Sequence, residues 1–558
     1  MKLALSQDMR KIDELAVKEH GLTIARLMEA AGAAVVEAME EKWGALEDKT
    51  IGVLCGKGNN GGDGFVTARL LKRKKASVAI LFTGEPEELK GEALQQFQKA
   101  KTAKVPILSL TDKDGLKPAQ VAMEECDLLV DALFGTGLSR PIEGLQKDLI
   151  QLAKRSGKPV VAVDIPSGLS ADSGSPMGEV LNAQLTVTFG LPKVGFFTPI
   201  GASFVGSVVV KEIGFPQELL KGSFLKHELI DASIVVRSLP RYDENTHKGT
   251  RGRVVVVAGA TGLTGAAALC AYGAQRIGAG LVTVACPESL IPILGAKLTE
   301  PMTAPVPEVE GGFLSLRAAG RILHLTTNVN AVVIGPGIGR HRETGQLLRE
   351  ILTKLTVPMV VDADALNLLG GQLDIFKAAR APVILTPHPG EAAWLLKTTI
   401  NEVEQNRVKV AKHIAEGYNV VSVLKGRYTV IASPKGEVRI NPTGNRGLAT
   451  GGTGDVLAGM IGGLLAQRLS PFEAATAGVY IHGLAGERAS RRLGLDGLLA
   501  GDLLPILPRL LRKLRESQQE PLWPSRTNSK TNGKPSSNSS KSANRGSMTT
   551  SKPRASKN

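Results

Sequence analysis

The residues with the strongest chemical signature lie in the stretch 445–459, which reads NRGLATGGTGDVLAG and leads from a strand-like segment into an apolar helical run. Glycines without a Cβ let the backbone close around phosphate oxygens, and the first N–H groups of a helix point toward such an anion. Asp455, at the start of that helix, is therefore a candidate general base for a hydroxyl that attacks or loses a phosphoryl group. The alternative is a glycine-rich turn in which Asp455 only caps the helix.

Three segments upstream have the form of binding loops. They read VVDADALNLL (360–369), VILTPHPGE (383–391) and VLKGRYT (423–429). Each consists of an apolar segment typical of a buried strand, followed by polar residues, glycine or proline. Loops at the carboxyl ends of strands in a parallel sheet have this composition. This arrangement favours the phosphate-binding interpretation of the stretch 445–459.

A second candidate group follows the first apolar strand, where residues 56–64 read GKGNNGGDG. The stretch matches the dinucleotide pattern GxGxxG, but a lone match is weak, and it is not a P-loop because no Lys followed by Ser or Thr is present. Its distinctive residues are Asn59, Asn60 and Asp63, which offer amide donors and oxygen acceptors beside open backbone N–H groups. A tight strand-to-helix turn is the alternative.

Polar residues also end two later strands, in DALFGTGL (131–138) and DIPSGL (164–169). Because the carboxyl ends of parallel strands share one sheet edge, we expect Asn60, Asp131, Asp164 and Ser167 to converge there. Their carboxylate, amide and hydroxyl oxygens suit a hard cation. The two aspartates can equally be simple loop-capping acids.

The elements around these residues predict an α/β protein. Two amphipathic helices come first, and short runs rich in Val, Ile and Leu then alternate with helical segments, which indicates right-handed βαβ units and parallel sheets covered on both faces. A chain of 558 residues with 43% apolar content should hold at least two domains. Residues 217–245 do not show the alternation of strand-like and helical segments, and they are expected to connect the two halves of the chain.

Composition predicts a soluble cytoplasmic protein with neither a membrane segment nor a specific nucleic-acid partner. The amino terminus has no signal-peptide pattern, and no run of about 18 apolar residues occurs. Cys55, Cys126, Cys270 and Cys286 lack metal or redox spacing and are expected to be core residues in a reducing compartment. The net charge is +15, and eight of the positively charged residues lie after residue 520. This tail is rich in Ser, Lys and Pro and is predicted to be disordered.

Two families share these motifs. The stretches 58–64, DALFGTGL and VDIPSGLSADSG resemble the NAD(P)H-hydrate epimerase domain of the YjeF N-terminal family, and GGTGD, TPHPGE and LKG resemble the ribokinase-like ADP- or ATP-dependent NAD(P)H-hydrate dehydratases. A chain that carries the two sets of motifs in this order resembles the bifunctional NAD(P)H-hydrate repair enzymes. The resemblance implies two Rossmann-like or ribokinase-like three-layer domains at 1–220 and 246–515, a linker at 221–245, and a tail at 516–558.

For the first domain, the resemblance implies epimerisation of nicotinamide cofactors hydrated at C6, with Asp164 transferring a proton. It implies a potassium ion at Asn60, Asp131 and Ser167. The implied hydrate contacts are Asn59, Asn60, Gly61, Gly62, Asp63, Gly135, Thr136, Gly137, Leu138, Ser139, Arg140, Pro141 and Asp164.

For the second domain, the resemblance implies dehydration of one epimer, with ADP or ATP and Mg²⁺ supplying the phosphoryl group and Asp455 as the base. The implied hydrate contacts are Ala266, Gly337, His388 and Asp455. The implied nucleotide contacts are Lys425, Gly426, Arg427, Tyr428, Thr429, Asn445, Gly451, Gly452, Thr453 and Gly454. For His388 a purely structural loop role stays open, as does simple packing for Ala266.

The resemblance further implies hydrated NADH and NADPH, with ADP or ATP, as small-molecule partners, and a homo-oligomer. Two other functions are not excluded by the sequence. The second half matches the ribokinase-like pattern that vitamin and sugar kinases share, and the first half could be a non-catalytic binding module, because one fold hosts many functions.

Overall fold

The computed structural model describes residues 1–516, so the predicted basic tail lies, from residue 517 on, outside the described residues. Two large sheets, each flanked by helices, organise the described chain. The predicted α/β class with mainly parallel sheets is confirmed. Within residues 1–516, no helix combines the length and apolar character needed to cross a membrane.

The first half of the chain contains eight strands and seven α-helices. The strands are β1 (Lys2–Leu3), β2 (Thr50–Cys55), β3 (Ser77–Thr83), β4 (Ile107–Leu110), β5 (Leu128–Ala132), β6 (Val160–Val163), β7 (Leu185–Phe189) and β8 (Ser207–Lys211). The helices are α1 (Ser6–His20), α2 (Ile24–Trp43), α3 (Asn59–Arg73), α4 (Gly91–Thr102), α5 (Leu116–Glu124), α6 (Gly144–Arg155) and α7 (Gln217–Leu220).

Seven of these strands form a fully parallel sheet in the order β4-β3-β2-β5-β6-β7-β8. Strands β2 and β5, at its centre, are buried almost throughout, as their unbroken apolar sequences predict. Strand β4 was not predicted from the sequence. It is a four-residue edge strand and only its last residue is fully buried, so its apolar signal is weak.

The second half, as far as residue 516, contains twelve strands and twelve α-helices. The strands are β9 (His227–Leu229), β10 (Arg253–Val257), β11 (Leu281–Pro287), β12 (Met302–Val306), β13 (Glu308–Val309), β14 (Phe313–Leu314), β15 (Ala331–Ile334), β16 (Met359–Val361), β17 (Val383–Leu385), β18 (Val421–Leu424), β19 (Val430–Ala432) and β20 (Val438–Ile440). The helices are α8 (Ala232–Ser238), α9 (Thr264–Arg276), α10 (Ile291–Lys297), α11 (Ala319–Leu325), α12 (Arg342–Leu352), α13 (Asp364–Leu368), α14 (Pro389–Leu396), α15 (Ile400–Gln405), α16 (Arg407–Tyr418), α17 (Thr453–Ala466), α18 (Pro471–Leu493) and α19 (Leu507–Glu516).

Eleven strands build the second sheet, in the order β1-β9-β20-β19-β18-β17-β16-β15-β10-β11-β12. The part from β18 to β12 is parallel, and β19 pairs antiparallel with both of its neighbours. The carboxyl ends of β16, β17 and β18 are therefore neighbours on one edge. This edge carries the three loops that the sequence marked as binding segments.

The predicted linker 221–245 contains two regular elements, β9 and α8. Strand β9 extends the second sheet beside β20, and β1 from the start of the chain pairs antiparallel with it. A strand of three residues is too short for its periodicity to be recognised in the sequence. The domain boundaries at 1–220 and 246–515 stay predictions.

Helix α17 is the central helix of the second half, and its residues from Val456 to Ala466 are all buried. It packs closely on α9 because both helices carry glycine at the crossing. A Cβ on Gly459 would lie 2.0 Å from the Cys270 carbonyl oxygen, and one on Gly273 would lie 2.5 Å from the Val456 carbonyl oxygen. This packing fixes the start of α17, where the predicted phosphate loop lies.

Candidate active sites

A cavity of about 1170 Å³ opens at the carboxyl edge of the first sheet. Ten of the predicted contact residues line it, namely Asn59, Asn60, Asp63, Gly135, Thr136, Gly137, Leu138, Ser139, Arg140 and Pro141, and Asp164 joins them. The convergence expected from a shared sheet edge therefore holds for these residues. A cavity of this size fits a large organic ligand.

Gly61 and Gly62 do not line the cavity. Helix α3 already begins at Asn59, so both glycines lie in its first turns and pack against neighbouring chain. A Cβ on Gly61 would lie 1.9 Å from the Gly56 carbonyl oxygen, and one on Gly62 would lie 2.5 Å from the Met28 sulfur. The glycines bring the start of α3 against strand β2, and this presents Asn59 and Asn60 to the cavity.

Asp131 and Ser167 form a fully buried pair beside the cavity. The Ser167 hydroxyl and backbone N–H both donate to the Asp131 carboxylate, at 2.5 and 2.7 Å. Burial raises the pKa of Asp131 to about 6. No ion pair to Asp131 is present within the described residues. Asn60 lies beside Gly135 in the loop after β5, because its Oδ1 is 3.3 Å from where a Cβ on Gly135 would stand.

Asp164 lies at the end of β6, in the left-handed region with φ of 64°, and its carboxylate is held from behind by Lys193. The Lys193 ammonium is fully buried and lies 2.5 Å from the Asp164 Oδ1. It also donates to the Thr188 hydroxyl at 2.8 Å, and that hydroxyl lies 3.0 Å from the same carboxylate oxygen. The buried ammonium and the Thr188 hydroxyl together fix the orientation of the Asp164 carboxylate.

Two further carboxyl groups face the same cavity. Desolvation by the cavity wall, followed by the negative charge of Asp164, raises the pKa of Asp13 to about 6, although part of this side chain stays in contact with solvent. Desolvation and the charge of Asp164 also raise the pKa of Asp63 well above its usual range. Asp13 and Lys193 were not identified from the sequence. One signal for Asp13 was available: it lies on the stripe formed by Met9, Ile12 and Ala16 on α1, where an apolar residue is expected.

The second site is organised around Lys425, which follows β18. Its ammonium lies 2.7 Å from the Asp362 carboxylate and 3.8 Å from that of Glu391. Asp362 is buried and also accepts a hydrogen bond from the Thr386 hydroxyl at 2.7 Å. Burial raises the pKa of Glu391 to about 7, although Lys425 opposes the shift. The sequence analysis did not single out Asp362 or Glu391, but the acid in VVDADA directly after a buried strand was a usable signal.

Asp455 is the third residue of α17 and faces this cluster. Burial, followed by the charge of Asp362, raises the pKa of Asp455 to about 7, and Lys425 counteracts part of this shift. Gly454 lies next to the lysine, since a Cβ on it would be 3.5 Å from the Lys425 Nζ. Gly452, with φ of 93°, provides the turn into the helix. A carboxyl group that titrates near neutral pH beside a helix amino terminus and an ammonium can accept a proton while an anion is bound.

His388 has a structural role in the loop before α14, which is the alternative that the sequence left open. Its Nδ1 accepts hydrogen bonds from the backbone N–H groups of Gly390 and Glu391, at 3.0 and 3.2 Å, and so caps α14. Its Nε2 lies 3.4 Å from the Glu391 carboxylate and, with the side chain 56% exposed, this edge of the ring can still be reached by a ligand. Burial lowers the pKa of His388, so the capping tautomer is neutral.

The remaining predicted contacts lie around the same edge. Gly337 packs on Ala266, because a Cβ on Gly337 would lie 2.9 Å from the Ala266 Cβ. Asn445 accepts from the Gly447 N–H at 3.0 Å and donates to the Ser490 hydroxyl at 2.7 Å, so it shapes the loop before α17.

The nucleotide contacts predicted at 425–429 form the tight connection between β18 and β19. The Thr429 hydroxyl closes this turn by donating to the Gly426 carbonyl at 2.8 Å. Arg427 lies over the ring of Tyr428, 5.3 Å from its centroid. The Tyr428 ring also lies edge-on to the Phe197 ring, with 6.2 Å between the centroids, so the connection is packed against a residue of the first half.

The raised pKa of Asp455 predicts a pH-dependent stability. Its folded-state value is about 7 and its unfolded value about 4, so between these pH values the folded state binds the extra proton and stability falls as pH rises. Asp455→Asn removes this penalty. In nucleotide-free protein we expect a melting temperature about 2–4 °C above that of the parent at pH 8 and no difference near pH 4.

The matched control for this measurement is Asp496→Asn, because Asp496 is an acid of the same domain whose side chain is 94% exposed. Its melting temperature should follow the parent at both pH values. An Asp455→Asn protein that is no more stable than the parent at pH 8 would contradict the burial of a charged carboxylate at this position.

Comparison with known families accounts for both halves of the chain. A family model described as NAD(P)H-hydrate dehydratase matches residues 254–509, and one described as YjeF-related protein N-terminus matches residues 24–195. The first match contains Lys425 and Asp455, and the second contains Asp131 and Asp164. The fold and its two sites thus define a bifunctional α/β enzyme with one acid–base site in each half.

Similar proteins match along nearly the whole described chain. The bifunctional NAD(P)H-hydrate repair enzyme Nnr of Moorella thermoacetica is 43% identical over 517 residues, covering 92% of this chain and 98% of that protein. The enzyme of the same description from Escherichia coli K12 is 36% identical over 507 residues, covering 91% and 93%. This chain belongs to the family of bifunctional NAD(P)H-hydrate repair enzymes, which confirms the resemblance seen in the sequence.

Among solved structures, the ADP/ATP-dependent NAD(P)H-hydrate dehydratase from Bacillus subtilis, co-crystallised with ATP and Mg²⁺, is similar to the second half. It is 34% identical, and the match covers 51% of this chain and 98% of that chain with a TM-score of 0.46.

Proposed function

We propose that this protein repairs hydrated NADH and NADPH. Its first domain interconverts the R and S epimers, and its second domain dehydrates the S form at the expense of ADP or ATP. The observation that carries the proposal is that one chain holds two separate acid–base sites, Asp164 against Lys193 and Asp455 beside Lys425. Each site lies at the carboxyl edge of its own parallel sheet, where ligands of such sheets bind.

In the second site, Asp455 removes the proton of the C6 hydroxyl, which attacks the terminal phosphoryl group of the nucleotide. The backbone N–H groups of 451–454 and the amino end of α17 hold that group while it moves. The phosphate ester then leaves as the lone pair of the ring nitrogen restores the dihydropyridine. Lys425 balances the charge, and the turn 426–429 with Asn445 positions the nucleotide, which brings Mg²⁺ with it.

The hydrate itself contacts the second site at the Gly337–Ala266 surface and at the Nε2 edge of His388. A ring held there would present its hydroxyl to Asp455. The capping bonds use the Nδ1 of His388, and its Nε2, 3.4 Å from the Glu391 carboxylate, lies on the exposed part of the ring that a ligand can reach.

In the first site, Asp164 transfers the proton at the C6 carbinolamine. The cavity is large enough for a dinucleotide, and residues 135–141 and 59–63 supply backbone and amide groups around it. Lys193 holds the Asp164 carboxylate in one orientation, so the group is positioned to act as a base. The proposal of Asp164 as the base rests on this pairing.

The proposal also includes a potassium-type cation at Asn60, Asp131 and Ser167. These residues fit such an ion, because a fully buried carboxylate with no ammonium or guanidinium partner in the described chain needs a positive charge to stay ionised. The Ser167 hydroxyl and the Phe134 carbonyl, which lie 3.3 Å apart, add neutral oxygens. When bound, the ion would hold the loop 133–141 against the cavity.

Asp131→Asn tests the cation separately from the rest of the enzyme. We expect the potassium concentration for half-maximal epimerisation to rise at least about 10-fold, while dehydration of the pure S epimer is unchanged, since the second site has its own core. Asp127→Asn, an exposed acid at the opposite end of β5, is the control and should leave both reactions at the parental level. Loss of both reactions in Asp131→Asn would refute two independent sites.

One assay tests the proposed function as a whole. Purified protein is incubated with a mixture of both NADH-hydrate epimers and ADP, while NADH absorbance and free phosphate are followed. We expect complete conversion of both epimers with one phosphate released for each NADH. A phosphorylated product that accumulates without NADH would instead identify a ribokinase-like kinase. Conversion of only half of a racemic mixture would show that the first domain is a binding module.

The proposal includes a cytoplasmic location and a homo-oligomer. The four cysteines are buried and none is paired in the described chain, which suits a reducing compartment. Gel filtration with light scattering measures the assembly.

A further inference from the structure

The cavity of the first domain contains more ionisable groups than its proposed base requires. Asp164, Asp13 and Asp63 all line it, and they come from the end of β6, from α1 and from α3. Within residues 1–516, one cation forms an ion pair with this group, the ammonium of Lys193, and its partner is Asp164. In this part of the chain Asp13 and Asp63 are therefore left without a paired cation beside the proposed position of the substrate.

An epimerisation at a carbinolamine carbon needs a proton donor as well as a base. If water is lost, one group protonates the departing hydroxyl as the C6–O bond breaks and the nitrogen lone pair forms the C=N bond. Water then adds to the other face and gives its proton to the base. If the ring opens, the base takes the hydroxyl proton as the C6–N bond breaks, and the donor protonates the nitrogen. Both routes use one donor and one acceptor. Ring closure returns both protons to their original groups, whereas after water loss and addition the donor regains a proton from solvent and the base releases one.

The two unpaired carboxyl groups differ in their access to water. Asp63 is half-buried at the first turns of α3, whereas Asp13 is exposed on the cavity wall, so Asp13 can exchange its proton with solvent between turnovers. We propose that Asp13 is the proton donor that complements Asp164 in the epimerase site. This inference rests on the proposed function of the first domain. The retained proton of Asp63 suits it to donate a hydrogen bond to the bound hydrate.

The charged groups that face Asp13 together raise its pKa, as its role as a proton donor requires. Asp164 from β6 and Asp63 from α3 disfavour a further negative charge, and Lys193 from the loop after β7 offsets part of that effect. On its own helix, Arg10 and Glu14 contribute one charge of each sign. The resulting pKa of about 6 places proton release by Asp13 close to the working pH, where a general acid is most effective.

The test is the pH dependence of epimerisation in the full chain, measured between about pH 5 and pH 9 with NADH hydrate. For the parent we expect kcat/KM to fall as pH rises above about 6, because Asp13 loses its proton. Asp13→Asn should lower kcat about 10²-fold or more, change KM little and remove this descending limb. Asp13→Glu keeps a carboxyl group and should retain a descending limb at a shifted pH, with partial activity.

Glu19→Gln is the matched control, since it neutralises an exposed acid of the same helix α1 that does not line the cavity. It should reproduce the parental profile. Dehydration of the pure S epimer in every variant reports whether the chain has folded. The inference is overturned if Asp13→Asn keeps the parental kcat and pH profile, or if Asp63→Asn rather than Asp13→Asn removes the limb. Absence of epimerisation in the parent would instead refute the proposed function of the first domain.

Discussion

Asp455→Asn should lower dehydratase turnover by about 10²- to 10⁴-fold, the usual contribution of a general base. The substitution keeps the shape of the side chain and most of its hydrogen bonding, but the amide cannot accept the hydroxyl proton. The carboxyl group titrates near neutral pH because of burial and Asp362, so in the parent it gains and loses a proton readily at working pH. The apparent affinity for ADP should change little, because Lys425 and the backbone of the phosphate loop remain.

The matched control is Glu473→Gln. Glu473 is likewise the third residue of a helix, α18, and there it accepts a hydrogen bond from the capping Ser470 hydroxyl at 2.8 Å, away from the site. If Asp455 served only as a helix cap, both substitutions would have small effects on turnover, since an amide caps about as well as a carboxylate. An Asp455→Asn enzyme within about threefold of the parental turnover would end the assignment of Asp455 as the base.

The positions of both sites could be predicted from the sequence because they follow strand ends. Strands β2, β5, β6, β16, β17 and β18 consist mainly of apolar residues, so the polar residues at their carboxyl ends were recognisable and their shared edge followed from parallel pairing. Asp131 and Ser167 met as expected, although 36 residues separate them. The fold class was predictable for the same reason.

The charge partners were not predictable, because they depend on tertiary contacts between separate elements. Lys193 lies in LPKVGF, where its neighbours give no sign that the ammonium is buried. Its place is fixed by Ala4, which accepts from the Val194 N–H at 3.1 Å and donates to the Pro192 carbonyl at 3.0 Å. Ala4 itself follows β1, a two-residue strand that pairs with β9 in the second sheet. No local pattern encodes such a contact.

The start of α3 was also misplaced from the sequence, which marked the helix at FVTARLLKRK after the glycines. The structure begins it at Asn59. Glycine has low helix propensity, so NNGGDG has the appearance of a loop. Its glycines are instead needed for close approach to Gly56 and Met28, a packing requirement that outweighs propensity.

Lys193→Met should nearly abolish epimerisation and destabilise the first domain. The substitution keeps the length and apolar body of the side chain but leaves the Asp164 carboxylate, 15% exposed, without its cation at 2.5 Å. Breaking a buried pair from one side typically costs about 3–5 kcal/mol, because the remaining charge loses its compensation. With no ammonium beside it, the Asp164 carboxylate also loses the contact that orients it toward the cavity. Turnover and urea unfolding measure these effects.

The double variant Lys193→Met/Asp164→Asn separates the structural role of the pair from its catalytic role. It removes both charges, so most of the lost stability should return, as expected when a buried ion pair is replaced by neutral groups. Epimerisation should stay as low as in Lys193→Met, because the asparagine cannot serve as a base. Dehydration of the S epimer should remain parental in the double variant. If the double variant recovered epimerisation together with stability, the base would have to be another group of the cavity, and the pairing of Lys193 with Asp164 would be purely structural.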